Sequence, residues 1–166
     1  MPNPPTLTGR VEQLPDGTWA SKGEAFEMLV QRMKQAGPQH FRAVLWHQGE
    51  SDANQADATR TLSGEAYRTC LETVIRESRK ESGFEAPWFV AQASYHVPGD
   101  EASPDIRNAQ ASLWKDGIAF EGPDTDALKS EFRESGGQGV HFNAKGLREH
   151  AARWAAKLES WLDSRP

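Results

Sequence analysis

Apolar and polar positions along this chain follow two periods, a helical one near 3.6 and the two-residue alternation or short apolar run of strands. Phe26, Leu29, Val30 and Met33 recur at helical spacing behind Ser21-Lys22-Gly23-Glu24, a capping-box pattern, and Gly37-Pro38 stops the run. The run Phe41-Arg42-Ala43-Val44-Leu45-Trp46 has strand length and breaks off in His47-Gln48-Gly49-Glu50-Ser51-Asp52. Ser63 caps a second helical stretch with Tyr67, Cys70, Leu71, Val74 and Ile75 on one stripe. Pro87 to Ser94 reads as a second apolar strand. Ser103-Pro104 places a cap and a first-turn proline before a helix that buries Ile106, Ala109, Leu113 and Trp114. Ile118 to Phe120 reads as a third, shorter strand. A loop with Gly136, Gly137 and Gly139 leads to Val140-His141-Phe142, and Asn143 caps a long last helix whose apolar face includes Leu147, Trp154, Leu158, Trp161 and Leu162.

Strands alternating with helical patterns predict an α/β fold in which a parallel sheet, joined by right-handed crossovers, is covered on both faces. Three strands make a thin sheet, so the pattern predicts that the first strand or strands are missing. Residues 1 to 20 carry prolines, glycines and polar residues without a period and read as an irregular lead-in; residues 21–166 read as one domain. With 166 residues, 37% hydrophobic and 26% charged, the chain is long enough for a sizeable core.

Net charge is −5, with both signs mixed and no basic block, which argues against nucleic-acid binding. No apolar run approaches bilayer length, so no membrane partner is expected. The first residues have neither the charged nor the apolar segment of a signal peptide. The single cysteine, Cys70, excludes an internal disulfide and a cysteine-rich zinc site, and its place on an apolar stripe predicts burial.

The chemistry concentrates where strands end, because ligands of open α/β sheets bind outside the carboxyl ends of the strands. His141, in a glycine-rich loop after the third strand, can take a proton from a nucleophile and return it to a leaving group. Such a base needs a carboxylate to fix its tautomer, and Glu50 is the natural partner. Gln48 offers an amide N–H to an oxyanion, and Gly49 permits the turn that lets Gln48 and Glu50 face one crevice. Ser51 and Ser94 also end strands, although neither sits in a Gly-x-Ser-x-Gly elbow. His47, Glu50, Asp52 and His141 are acceptable metal ligands, but no helical His-x-x-x-His spacing is present and no metal is expected. Trp46, Trp88 and Trp114 read as core. Asp124 and Asp126 read as turn residues, and His150 falls on the exposed part of the last helix.

Trp46-His47-Gln48-Gly49-Glu50-Ser51-Asp52 resembles the block of the sialate O-acetylesterase and acetylxylan-esterase branch of the SGNH hydrolases. Val90-Ala91-Gln92 resembles that family's next strand, Arg107-x-x-Gln110 its Arg-x-x-Gln helix, and Val140-His141-Phe142 its histidine block. The resemblance covers roughly residues 41 to 163. It implies a three-layer, flavodoxin-like α/β/α carbohydrate esterase that removes O-acetyl groups from sialic acid or xylan-type sugars, without metal or cofactor. His141 would be the base, Glu50 its acid, Gln48 and nearby backbone N–H groups including the Gly49 turn the oxyanion hole, with His47 and Arg107 touching substrate. Family members are often secreted or periplasmic.

Two departures stand out. No Gly-Asp-Ser or Gly-Gln-Ser-Asn block precedes residue 41, so the resemblance implies first strands and a serine loop outside this sequence. Many members also have an aspartate three residues before the histidine, where this chain has Gln138. Two readings stay open: an esterase whose nucleophile is Ser51, Ser94 or a serine from another segment, and an inactive SGNH-derived domain that binds carbohydrate or protein. In either, the strand at 41–46 is an open edge, which predicts self-association or completion by an N-terminal segment.

Overall fold

A computed structural model describes residues 11–13, 15, 19–21, 23–38 and 40–164. Residues 1–10 of the expected lead-in lie outside the described residues. The chain divides into two compact units, Met1–Arg42 with Arg76–Ala86, and Ala43–Ile75 with Pro87–Pro166.

In the first unit, β1 (Val11–Gln13) and β2 (Trp19–Ser21) pair antiparallel, regular structure in a stretch whose residues show no period. The helix α1 runs from Glu24 to Ala36. Ser21 belongs to β2, and the N-cap position is held by Gly23, in a left-handed conformation at φ 82°. Val30 and Met33 form the buried ridge of α1, and Gly37 ends it by donating its N–H to the Met33 carbonyl at 2.9 Å. Phe41 and Phe84 meet edge to face with ring centroids 5.5 Å apart.

In the second unit, β3 (Val44–Trp46), β4 (Trp88–Gln92) and β5 (Phe120–Asp124) form a parallel sheet in the order β3-β4-β5. The central β4 is buried on both faces, hence its continuous apolar run Trp88-Phe89-Val90-Ala91. The third strand begins at Phe120 rather than Ile118. The N–H groups of Ile118 and Ala119 both donate to the Leu113 carbonyl (3.0 and 3.2 Å) and so finish the preceding helix instead of starting a strand. Pro123 within β5 is tolerated because β5 is an edge strand, with no ladder partner on its outer side among the described residues. β3 is the other edge, and its Leu45 is 44% exposed.

Register places Leu45, Phe89 and Phe120 on one face and Val44, Trp46, Trp88 and Val90 on the other. The first face is covered by α5 (Ala144–Asp163): Trp154 is buried against Phe89 and Ala91, with Leu158, Trp161 and Ala43 packed around them. Phe120 stacks on Phe89 at 5.1 Å. On the second face the Trp46 and Trp88 rings lie 5.8 Å apart, and Trp46 Nε1 donates to the Tyr67 hydroxyl of α2 (Gly64–Ser82). There α3 (Pro104–Lys115) joins α2 through the Gln110 amide, which donates to the same hydroxyl. The result is a three-layer α/β/α arrangement. As expected, Ser63 caps α2 through a bond from Ala66 N–H, and Ser103 and Asn143 cap α3 and α5.

Two expectations about burial fail. Cys70 is exposed, because the buried ridge of α2 runs Tyr67-Leu71-Ile75 and Cys70 stands about a quarter turn off it. Leu147 and Leu162 of α5 are 57% and 46% exposed; Leu147 reaches past the sheet to line a cleft, and Leu162 lies beyond the Trp161 contact.

Candidate active site

The loop after β3 is held by a buried amide. Gln110 is inaccessible to solvent; its Oε1 accepts from Ala93 N–H at 3.1 Å, and its Nε2 donates to the Ala93 and Gln48 carbonyls at 3.0 and 3.2 Å. One side chain therefore ties the ends of β3 and β4 together. The Tyr67 hydroxyl also donates to the Gln48 carbonyl at 2.7 Å, and burial pushes its pKa up. This crowding explains Gly49. At φ 154°, a Cβ there would lie 2.1 Å from the Ala93 carbonyl oxygen and 2.8 Å from Gln110 Nε2. The Gln48 side chain itself donates to Asp52 Oδ2 at 2.7 Å.

Beneath the ends of β4 and β5 lies a closed polar network. Asp126, almost fully buried, accepts from the N–H groups of Ser94 (2.7 Å) and Tyr95 (2.9 Å), from the Ser94 hydroxyl (2.6 Å) and from Arg107 (2.8 Å). Arg107 also grips Asp124 through both terminal nitrogens at 2.9 Å and donates to Gln92 Oε1. The bonds to Asp124 raise the Arg107 pKa. Burial alone would raise that of Asp124, but Arg107 outweighs it and holds the carboxyl below its ordinary value. This geometry corrects two expectations. Ser94 is inaccessible, with its proton given to Asp126 and its oxygen accepting from Ser103 N–H, so it is not poised to attack. Arg107 is committed to internal partners, and so fixes the strand ends rather than reaching for substrate. Asp124 and Asp126, read from sequence as turn residues, are its anchors.

Beyond this floor opens a cleft of about 420 Å³ lined by His47, Glu50, Ser51, Arg133, His141 and His150, among others. His47 Nε2 lies 2.9 Å from the Thr125 hydroxyl, whose single proton goes to the Gln92 carbonyl at 2.8 Å. Thr125 can thus only accept, which makes His47 the Nε2–H tautomer. Its Nδ1 lone pair then lies 3.6 Å from Glu50 Oε1, so that two acceptors stand side by side. Burial lowers the His47 pKa against the pull of Glu50, so the ring is neutral at pH 7. His150, expected on an exposed face without a partner, is instead half-buried. It accepts from Trp154 Nε1 at 3.1 Å, and burial, then His47 and Arg133, depress its pKa to about 4.

His141 lies on the rim of this cleft, and its Nδ1 is 2.9 Å from Glu134 Oε1. The expected partner, Glu50, is in the same cleft but turned to His47. Glu134 precedes His141 by seven residues, across the glycine-bearing loop, and the residue pattern alone did not mark it. Arg133 was also unmarked. Its guanidinium is buried between the Tyr95 and Phe142 rings, 4.0 and 4.1 Å from their centroids, and donates to the carbonyls of Leu128, Val140 and Thr125. Burial lowers its pKa from the ordinary arginine value. Three histidines, a carboxylate, an exposed serine and a buried cation thus share one opening, a set suited to acyl transfer.

A family model described as carbohydrate esterase, sialic acid-specific acetylesterase, matches residues 13–160. No curated protein and no solved structure matches the chain.

Proposed function

Because the chain belongs to the sialic acid-specific acetylesterase family of carbohydrate esterases, we propose that it removes O-acetyl groups from sugars through an acyl-enzyme step with His141 as general base. The observation that carries this reading is the cleft of about 420 Å³ that brings His141 from one loop to Glu50 and Ser51 of another. Ser51, exposed on that cleft, is the hydroxyl this reading assigns as nucleophile. His141 takes its proton, the ester carbonyl carbon is attacked, and the same proton passes to the sugar oxygen as it leaves. Water then repeats the sequence and releases acetate. Gln48, with one amide hydrogen held by Asp52, gives the other to the oxyanion, and the buried charge of Arg133 favours the same developing negative charge. His47 Nδ1 and Glu50 are the side-by-side acceptors that this reading offers to the hydroxyls of the sugar.

Intact mass after treatment with a fluorophosphonate serine probe, run beside His141→Ala, tests the reading. The expected result is one adduct on the wild-type chain, mapped to Ser51 and absent from the variant. No adduct on a folded sample overturns it, and this chain alone is then a carbohydrate- or protein-binding domain of the family.

A further inference from the structure

The loop that presents His141 is a stem with two feet. Arg133 and Phe142 form an antiparallel bridge, and the next pair inward is joined by Glu134 N–H donating to the His141 carbonyl at 2.9 Å. Glu134 and His141 therefore stand opposite one another, as residues do across an antiparallel pair. Ser135, Gly136 and Gly137 turn the chain with φ of 52°, 64° and 92°, and Gly139 N–H returns to the Glu134 carbonyl at 3.1 Å. Both feet are fastened from below. Arg133 donates to the Val140 carbonyl on the opposite strand, and the Asn143 amide donates to the Glu131 and Arg133 carbonyls while its oxygen caps α5. Gly139 leaves the space that the Glu134 side chain fills: a Cβ there would lie 2.3 Å from Glu134 Cγ.

We propose that Glu134 is the positioning carboxylate of His141, holding the proton on Nδ1 and turning the Nε2 lone pair toward the cleft. This rests on the reading of His141 as base. Glu50 is released from that duty and belongs to the His47 side of the cleft. The role is one of orientation, since the His141 side chain is 78% exposed and a hydrogen bond so open to water adds little to stability.

Long-range ¹H–¹⁵N spectra of the histidine rings report the tautomer directly, whether or not the chain turns over an ester. The expected result is the Nδ1–H form for His141 in the wild type, and in Glu134→Ala a reversion to the Nε2–H form that dominates free histidine. Glu50→Gln leaves the His141 signals in place. Gly139→Ala, which keeps the carboxylate but takes its space, reverts the tautomer as Glu134→Ala does. An Nε2–H form in the wild type, or a His141 spectrum that moves with Glu50 and not with Glu134, overturns the proposal. A probe adduct on Ser51 with an unaltered tautomer in Glu134→Ala removes this proposal alone. A reverted tautomer without any adduct in the wild type removes the esterase reading alone.

Discussion

The imidazole of His150 meets that of His47 edge-on, with ring centroids 4.7 Å apart and the Phe142 ring beside both. Burial comes first among the causes that lower both pKa values, to about 4 for His150. In the unfolded chain each ring protonates near the ordinary value of 6.5, so between there and about 4 the unfolded state binds more protons. Stability is therefore full above about pH 6.5 and falls as the pH drops through this window. For half-buried rings that water still reaches in part, the loss is on the order of 1 kcal/mol, or about 3 °C in Tm. Thermal melts from pH 7.5 to 4.5 should show this slope, and His150→Phe should flatten it.

Thr125→Val removes the acceptor of His47 Nε2–H and the hydroxyl donor to Gln92. The ring then loses its fixed tautomer, and the domain loses about 1–2 kcal/mol from two buried bonds. Urea denaturation gives the second figure and ¹⁵N spectra the first; an unchanged His47 tautomer would contradict the assignment.

Asp126→Asn keeps the volume but trades a carboxylate oxygen for an amide that cannot accept. Some of the bonds from Ser94, Tyr95 and Arg107 go unmade in a buried site, at a cost of about 3 kcal/mol. The midpoint of chemical denaturation should fall with little change in its slope.

Gly49→Ala drives a methyl group into the Ala93 carbonyl and the Gln110 amide. The expected cost is about 2–4 kcal/mol together with loss of probe labelling, since the loop carrying Glu50 and Ser51 must move. Labelling at the wild-type rate would show that the loop does not depend on this approach.

Cys70 is exposed, so Ellman's reagent should react with the native protein about as fast as with the denatured one. Protection in the native state would restore the burial that its stripe suggested.

The sheet, its parallel sense and the caps at Ser63, Ser103 and Asn143 were legible because each rests on a local signal: an apolar run, a serine before a helix, an asparagine after a loop. The cleft was legible in part for the same reason. His47, Glu50 and Ser51 are one strand-end block, and His141 stands alone in a glycine loop. The partnerships were not legible. Glu134 reaches His141 through three consecutive left-handed residues that no apolar period encodes, and Ser94 is silenced by an aspartate 32 positions away. His150 was placed by the general polarity of its surroundings, whereas its environment is set by two aromatic rings and a second histidine.

The stem that joins Glu134 to His141 closes a loop of only a few residues, and its entropic cost is small beside that of pairing β3 with β4. Contacts so near in sequence form early when a chain folds. The proton-handling pair is thus a local product of the chain, assembled on the scale of a hairpin. The serine block and the floor at Asp126 depend on strands brought together from far apart. In a folding experiment the histidine environment should mature ahead of the cleft it serves.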